Sequence, residues 1–111
     1  MQAKINAIVE AIQKHKPIRF EYIREGKSIG YREGNPHVIY QGTTREGFER
    51  TYVHIVQTGG VSDTLISFPE WRMFILDFFA TVEILEDSAP FAIDKGYNPH
   101  APMYTRAIAK I

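Results

Sequence analysis

Glycine and proline cut the middle of this chain into short runs. Breaks fall at Pro17, Glu25-Gly26-Lys27, Gly34-Asn35-Pro36, Gly59-Gly60 and Pro69. The runs between them alternate apolar with polar residues, the period of a half-buried strand. In IRFEYIRE, Ile18, Phe20 and Tyr22 alternate with Arg19 and Glu21. SIGYRE reads as its partner strand, and Gly34-Asn35-Pro36 ends that run. HVIYQG and TYVHIVQ read as two more strands, separated by the charged loop TTREGFER. Pro69 cannot donate to a central ladder, so the strand in DTLISFPEWRMFIL begins just after it. Asp77-Phe78-Phe79 reads as a short helical turn, and TVEIL as a further strand. Strands arrive about every 10–15 residues with no helix between them, which predicts a small antiparallel barrel or a strongly bent sheet.

Helices are expected only at the ends. Ile5, Ile8, Val9 and Ile12 form one apolar stripe at helical period, so a helix is predicted over 2–15 and stopped by Pro17. The tail over 92–111 carries several breaks, then Pro102 at a possible first helical position. Tyr104, Ile108 and Ile111 would share one face of a short helix docked on the body. The expectation is a single domain over 1–111: helix, barrel over about 18–86, then tail and helix.

Composition removes whole classes of function. The 111 residues include no cysteine, which excludes disulfides, thiol catalysis and thiolate metal sites. Thirteen basic residues balance thirteen acidic ones, so no global field draws the chain to nucleic acid or to an anionic membrane. The halves differ, however. Residues 1–50 hold nine basic and six acidic groups, and residues 51–111 hold four and seven, enough to set a basic patch on one side. No apolar run reaches membrane-spanning length, and the N-terminus lacks the apolar centre of a signal peptide. A soluble, cytoplasmic protein is expected.

No catalytic motif is present, and no nucleophile stands beside a recognisable base. His15, His37, His54 and His100 are never three or four residues apart, so no helical metal pair exists and no metal or cofactor is expected. His54 lies mid-strand and shares a sheet face with Tyr52. Asp63 reads as a turn residue. Arg72, between Trp71 and the apolar run Met73–Leu76, must reach the surface, a carboxylate or an anionic ligand, because burying it unpaired is costly. Basic and aromatic residues interleave along the strands, as they do in small barrels that stack bases on aromatic rings.

The order AIQKHKPIRFEY, Pro36 with HVIYQG, TYVHIVQ, WRMFIL, TVEIL and APF resembles the WYL domain over roughly residues 8–91. Thr51-Tyr52-Val53 takes the place of the triplet that names that family, keeping only the Tyr. Arg72 to Leu76 matches its Arg-led strand, while a second family Arg falls at Phe78. The resemblance implies a five-stranded Sm-like, SH3-type barrel and a regulatory role in transcription, sensing nucleotides, nucleic acid or another anion. A stand-alone module is expected, without the family's usual DNA-reading domain. The expected function is therefore a non-enzymatic module that senses an anionic ligand such as a nucleotide or single-stranded nucleic acid. Arg72 would pair with the anion, Tyr52 would stack, His54 would add a pH-tunable donor and Arg32 would assist. The alternative is a protein-interaction module acting as a homodimer, its exposed sheet edges covered by a second copy.

Overall fold

The computed structural model describes residues 1–65 and 67–111; Ile66, in the apolar stretch before Pro69, lies outside them. Helix α1 (Gln2–Lys14) is followed by β1 (Ile18–Tyr22), β2 (Tyr31–Thr43), β3 (Glu49–Gly60), β4 (Glu70–Ile75), β5 (Phe79–Ile84) and β6 (Ala107–Lys110). Single 3-10 turns lie at Leu76–Phe78 and Pro102–Tyr104. All pairings are antiparallel, in the order β4-β3-β2-β1-β5, with β6 added to β2. Among the described residues no helix is long and apolar enough to cross a membrane.

Helix α1 forms where its apolar stripe does. Ile8, Ala11 and Ile12 are buried, Lys14 complements the negative pole of the helix dipole, and His15 closes the helix in the left-handed region at φ 56°. The helix lies over one face of the sheet. There Ile18, Phe20, Tyr22, Ile39, Val53, Ile55, Phe74, Leu76 and Phe79 join its buried side chains in one core. This is the helix face. The opposite face is covered by the C-terminal tail, with Val38, Tyr40 and Tyr104 at the centre of a smaller cluster.

Three expectations are corrected. The sheet is open rather than a closed barrel: among the described residues β4 and β5, the two ends of the strand order, share no ladder. The 3-10 turn joins them directly, and an aromatic contact and a side-chain hydrogen bond from β1 take the place of a backbone ladder. Phe74 and Phe79 meet at 6.1 Å between centroids, and the Tyr22 hydroxyl accepts the Ile75 N–H at 3.0 Å. Second, Gly34-Asn35-Pro36 does not end a strand. It lies inside β2, which continues through two register shifts, between Glu33 and Gly34 and between Pro36 and Val38. Bulges absorb the missing proline donor and bend the strand. Third, the tail has no C-terminal helix. Beyond the 3-10 turn it becomes β6, whose Ala107 and Ala109 are half-buried while Ile108 and Lys110 face out. The apolar spacing that suggested a helix is overridden by the edge of β2, where β6 occupies residues 38–40 beyond the stretch paired with β1. The start of β4 after Pro69 and the helical turn before β5 are found as expected.

Gly60 ends β3 at φ +87°, and a Cβ there would overlap the Tyr31 carbonyl oxygen. Gly60→Ala is therefore expected to destabilise the protein by more than about 1 kcal/mol, through both the left-handed backbone and the clash. Urea unfolding monitored by Trp71 fluorescence measures this.

Candidate functional site

Strand alternation decides where the four sequence candidates go. Arg72 pairs with Ile55 across β3–β4 and shares the helix face with Phe74. Arg32 lies on that same face, its guanidinium 5.8 Å from the Tyr22 ring centre and 5.5 Å from that of Phe74. Tyr52 and His54 point the other way, into the aromatic cluster under the tail. The structure thus brings the candidates together in two pairs, on opposite faces of one sheet.

The arginine pair is held by acids. Arg32 is 0% exposed and contacts the Asp63 carboxylate at 3.0 Å, the Ser28 carbonyl at 3.4 Å and the Gln57 side-chain oxygen at 3.5 Å. Arg72 reaches the same Asp63 oxygen at 3.3 Å and Glu70 at 3.4 Å, and it donates to the Ser62 hydroxyl. Two cations thus face two carboxylates, and the cluster carries no net charge. Burial alone would raise the Asp63 carboxyl, but the Ser28 N–H and Arg32 outweigh it and hold the group below its ordinary value. Asp63, read in the sequence as a turn residue, ties the β1–β2 loop, β2 and β4 to the loop after β3. An acid nine residues ahead of Arg72 was the available signal.

On the tail face, His54 is buried between two phenols. Its Nε2 lies 3.1 Å from the Tyr40 hydroxyl and its Nδ1 2.8 Å from the Tyr104 hydroxyl. Trp71 packs edge-on against the ring. Desolvation pushes the imidazole down to about 4. His54 is neutral near pH 7, so the expected pH-tunable donor does not operate in the physiological range. Burial, then the neighbouring Tyr104 and Tyr52, push the Tyr40 hydroxyl up to about 12, so it keeps its proton. His37 is buried nearby. Its Nε2 accepts the Asp94 N–H at 3.0 Å, so Nδ1 carries the hydrogen that bonds the Asn35 carbonyl at 2.9 Å.

Two openings flank this cluster. One, of about 430 Å³, lies between His37, Val56 and Pro69 and the tail residues Ile93 to Lys95. The other, of about 420 Å³, is walled by Tyr40, Tyr52, Met73 and Met103, with Gly42 and Thr43 at its edge. Arg106 borders this second cleft, donating to the Thr43 hydroxyl at 3.0 Å while pairing with Glu49 at 2.8 Å. Tyr40, Met103, Tyr104 and Arg106 were not assigned to a site from sequence, although Tyr40 belongs to the interleaved basic and aromatic residues and Tyr104 to the expected docking face of the tail. Tyr40 could have been found, because it sits opposite Tyr52 once β2 and β3 are paired. The tail residues could not, because their docking position depends on β6. Among the described residues no three His, Asp or Glu side chains gather as a metal-binding group. Comparison with known proteins finds no family model and no curated protein that matches the chain.

Two stability measurements follow from these environments. Asp63→Asn leaves the buried Arg32 charge without its carboxylate and is expected to cost about 3–5 kcal/mol, read from chemical denaturation at pH 7. The His54 shift has a defined sign. The folded-state value is depressed, so between about 6.5 and about 4 the unfolded chain takes up a proton that the folded chain refuses. Stability is fully present above that window and falls through it by about 3 kcal/mol as pH drops. His37 moves in the same direction, chiefly through burial. Denaturation between pH 7 and 4 should show this loss, and His54→Gln should flatten it.

Proposed function

We propose that this chain is a WYL-like, non-enzymatic binding module whose tail-face cleft takes an anionic ligand with a flat ring, a nucleotide or a single-stranded nucleic acid. The observation that carries the reading is the pairing of an aromatic wall with an exchangeable cation. Tyr52 and Tyr40 supply the ring surface, 5.4 Å apart between centroids. Arg106 stands at the edge, bonded to cleft residue Thr43.

Its present partner is easily exchanged. The Arg106–Glu49 pair is exposed, with 47% and 62% of the side chains accessible, so solvent screens it and it stabilises little. A phosphate can take the guanidinium from Glu49 at small cost and gain a two-pronged contact. Arg72 is less well placed for that role. Its side chain is 14% exposed, and releasing it would take a cation away from Glu70 and leave Asp63 with Arg32 alone, both carboxylates being similarly buried. Arg72 and Arg32 then serve as a brace, and the anion contact passes to Arg106. The high value at Tyr40 suits it as a hydrogen-bond donor to a ligand rather than as a base.

Thermal unfolding with mononucleotides, dinucleotides and short single-stranded DNA or RNA tests the reading, at low and moderate salt. A ligand present at about 100 times its dissociation constant adds about 2.7 kcal/mol of stability. Tyr52→Ala and Arg106→Ala should each abolish the shift, and added salt should weaken it. A shift that survives both substitutions would place the ligand elsewhere.

A further inference from the structure

The inner end of the same cleft has a second chemistry, independent of the ring-binding reading. Three soft or borderline donor atoms converge on one point, marked by the Tyr40 hydroxyl. His54 Nε2 lies 3.1 Å from it, Met73 Sδ 3.4 Å and Met103 Sδ 3.9 Å. The three come from β3, β4 and the tail, so only the folded chain assembles them. Both methionines are open to solvent, 55% and 53% exposed, and they wall a cleft through which an ion can enter.

We propose that this point is a site for a soft monovalent metal ion, copper(I), held by two thioethers and one imidazole. Thioether sulfur has little affinity for hard cations and selects copper(I) among the biological metals, and imidazole completes a three-coordinate set. No thiolate or carboxylate contributes, so the donor set disfavours zinc, calcium and magnesium. The outer shell also fits. Metal-binding histidines commonly have the second ring nitrogen fixed by a hydrogen bond, and here the Tyr104 hydroxyl holds Nδ1 at 2.8 Å. The ring nitrogen facing the cleft then needs only to exchange its Tyr40 contact for the ion. Flexible methionine side chains can close the remaining distance.

Tyr40 makes the proposal testable in both directions, because its hydroxyl stands where the ion would go. The experiment is an anaerobic titration of the full chain with copper(I) against a chromophoric copper(I) chelator. Wild type should withdraw one equivalent of metal. Met73→Leu and Met103→Leu, near-isosteric changes at exposed positions, should each return metal to the chelator. Tyr104→Phe should weaken binding by about tenfold or more through loss of the outer-shell bond. Tyr40→Phe, which removes the hydroxyl and keeps the ring, should tighten it. Arg106→Ala, which removes the proposed phosphate contact and touches none of the three donors, should leave it unchanged, which separates this site from the ring-binding reading. A wild-type chain that withdraws no copper(I), or a Met73→Leu/Met103→Leu double variant that withdraws as much as wild type, would overturn the proposal.

Discussion

Everything in this molecule hangs on β2. Thirteen residues long, it is paired with β3 along one edge and with β1 and then β6 along the other. A strand with that many partners cannot move without unpairing three others. Its two irregularities carry the bend. Gly34 lies where a Cβ would overlap Ile55, so the strands approach closely there. At Pro36–Val38 an extra residue, His37, is inserted without a partner on β3. The insertion sends His37 into the aromatic cluster under the tail, where it meets Trp71, Phe91 and Tyr97. A local kink in one strand therefore sets which residues can reach the tail.

The central alternation and the first helix were legible because they depend on nearest-neighbour physics. Ile18, Phe20 and Tyr22 are buried while Arg19 is exposed, as a period of two requires. The helical stripe buries Ile8 and Ile12 for the same kind of reason. What escaped the sequence depends on partners distant in the chain. Gly34-Asn35-Pro36 reads locally as a break, yet pairing with β3 carries β2 through it. Ala107 to Lys110 has no strong strand preference of its own and becomes a strand because β2 offers an unpaired edge at Val38–Tyr40. For the site, Tyr52 and His54 were recognised as sharing a face, and they do. That Arg72 faces away from them follows from its cross-strand partner, Ile55, and so required the register of β4 on β3.

The separation of the two pairs has an energetic logic. A guanidinium on the helix face sits against Phe74 and Tyr22, where an unpaired charge would be costly, and each arginine there is met by a carboxylate. Arg32 still leaves its Nε buried without a hydrogen-bond partner, a residual cost that the ring faces beside it partly offset. The tail face solves its polar problem without charge. His54 is kept neutral and bonded at both nitrogens by hydroxyls, and His37 by backbone groups. Charge and aromatic surface are thereby largely segregated, and the cation bonded to cleft residue Thr43, Arg106, arrives from the tail.

That dependence on the tail would link any binding in the cleft to folding. Met103, Tyr104 and Arg106 all belong to the segment that lies across the sheet, so the cleft exists only while that segment is docked. Its anchors are spread along its length. The β6 ladder covers three β2 residues, the Asp94 N–H bonds His37 Nε2 at 3.0 Å, the Ile111 N–H bonds the His37 carbonyl at 3.1 Å, and the Phe91 N–H bonds the His15 carbonyl at 2.8 Å. A terminal segment docked on a sheet opens at lower free energy than the core it covers. A ligand bridging β2 or β3 to Met103 or Arg106 would bind only the docked form, and its binding energy would be added to the stability of the tail. Occupancy of the cleft would then be readable at a distance, as the exposure or protection of Trp71, His37 and the aromatic surface beneath residues 91–106.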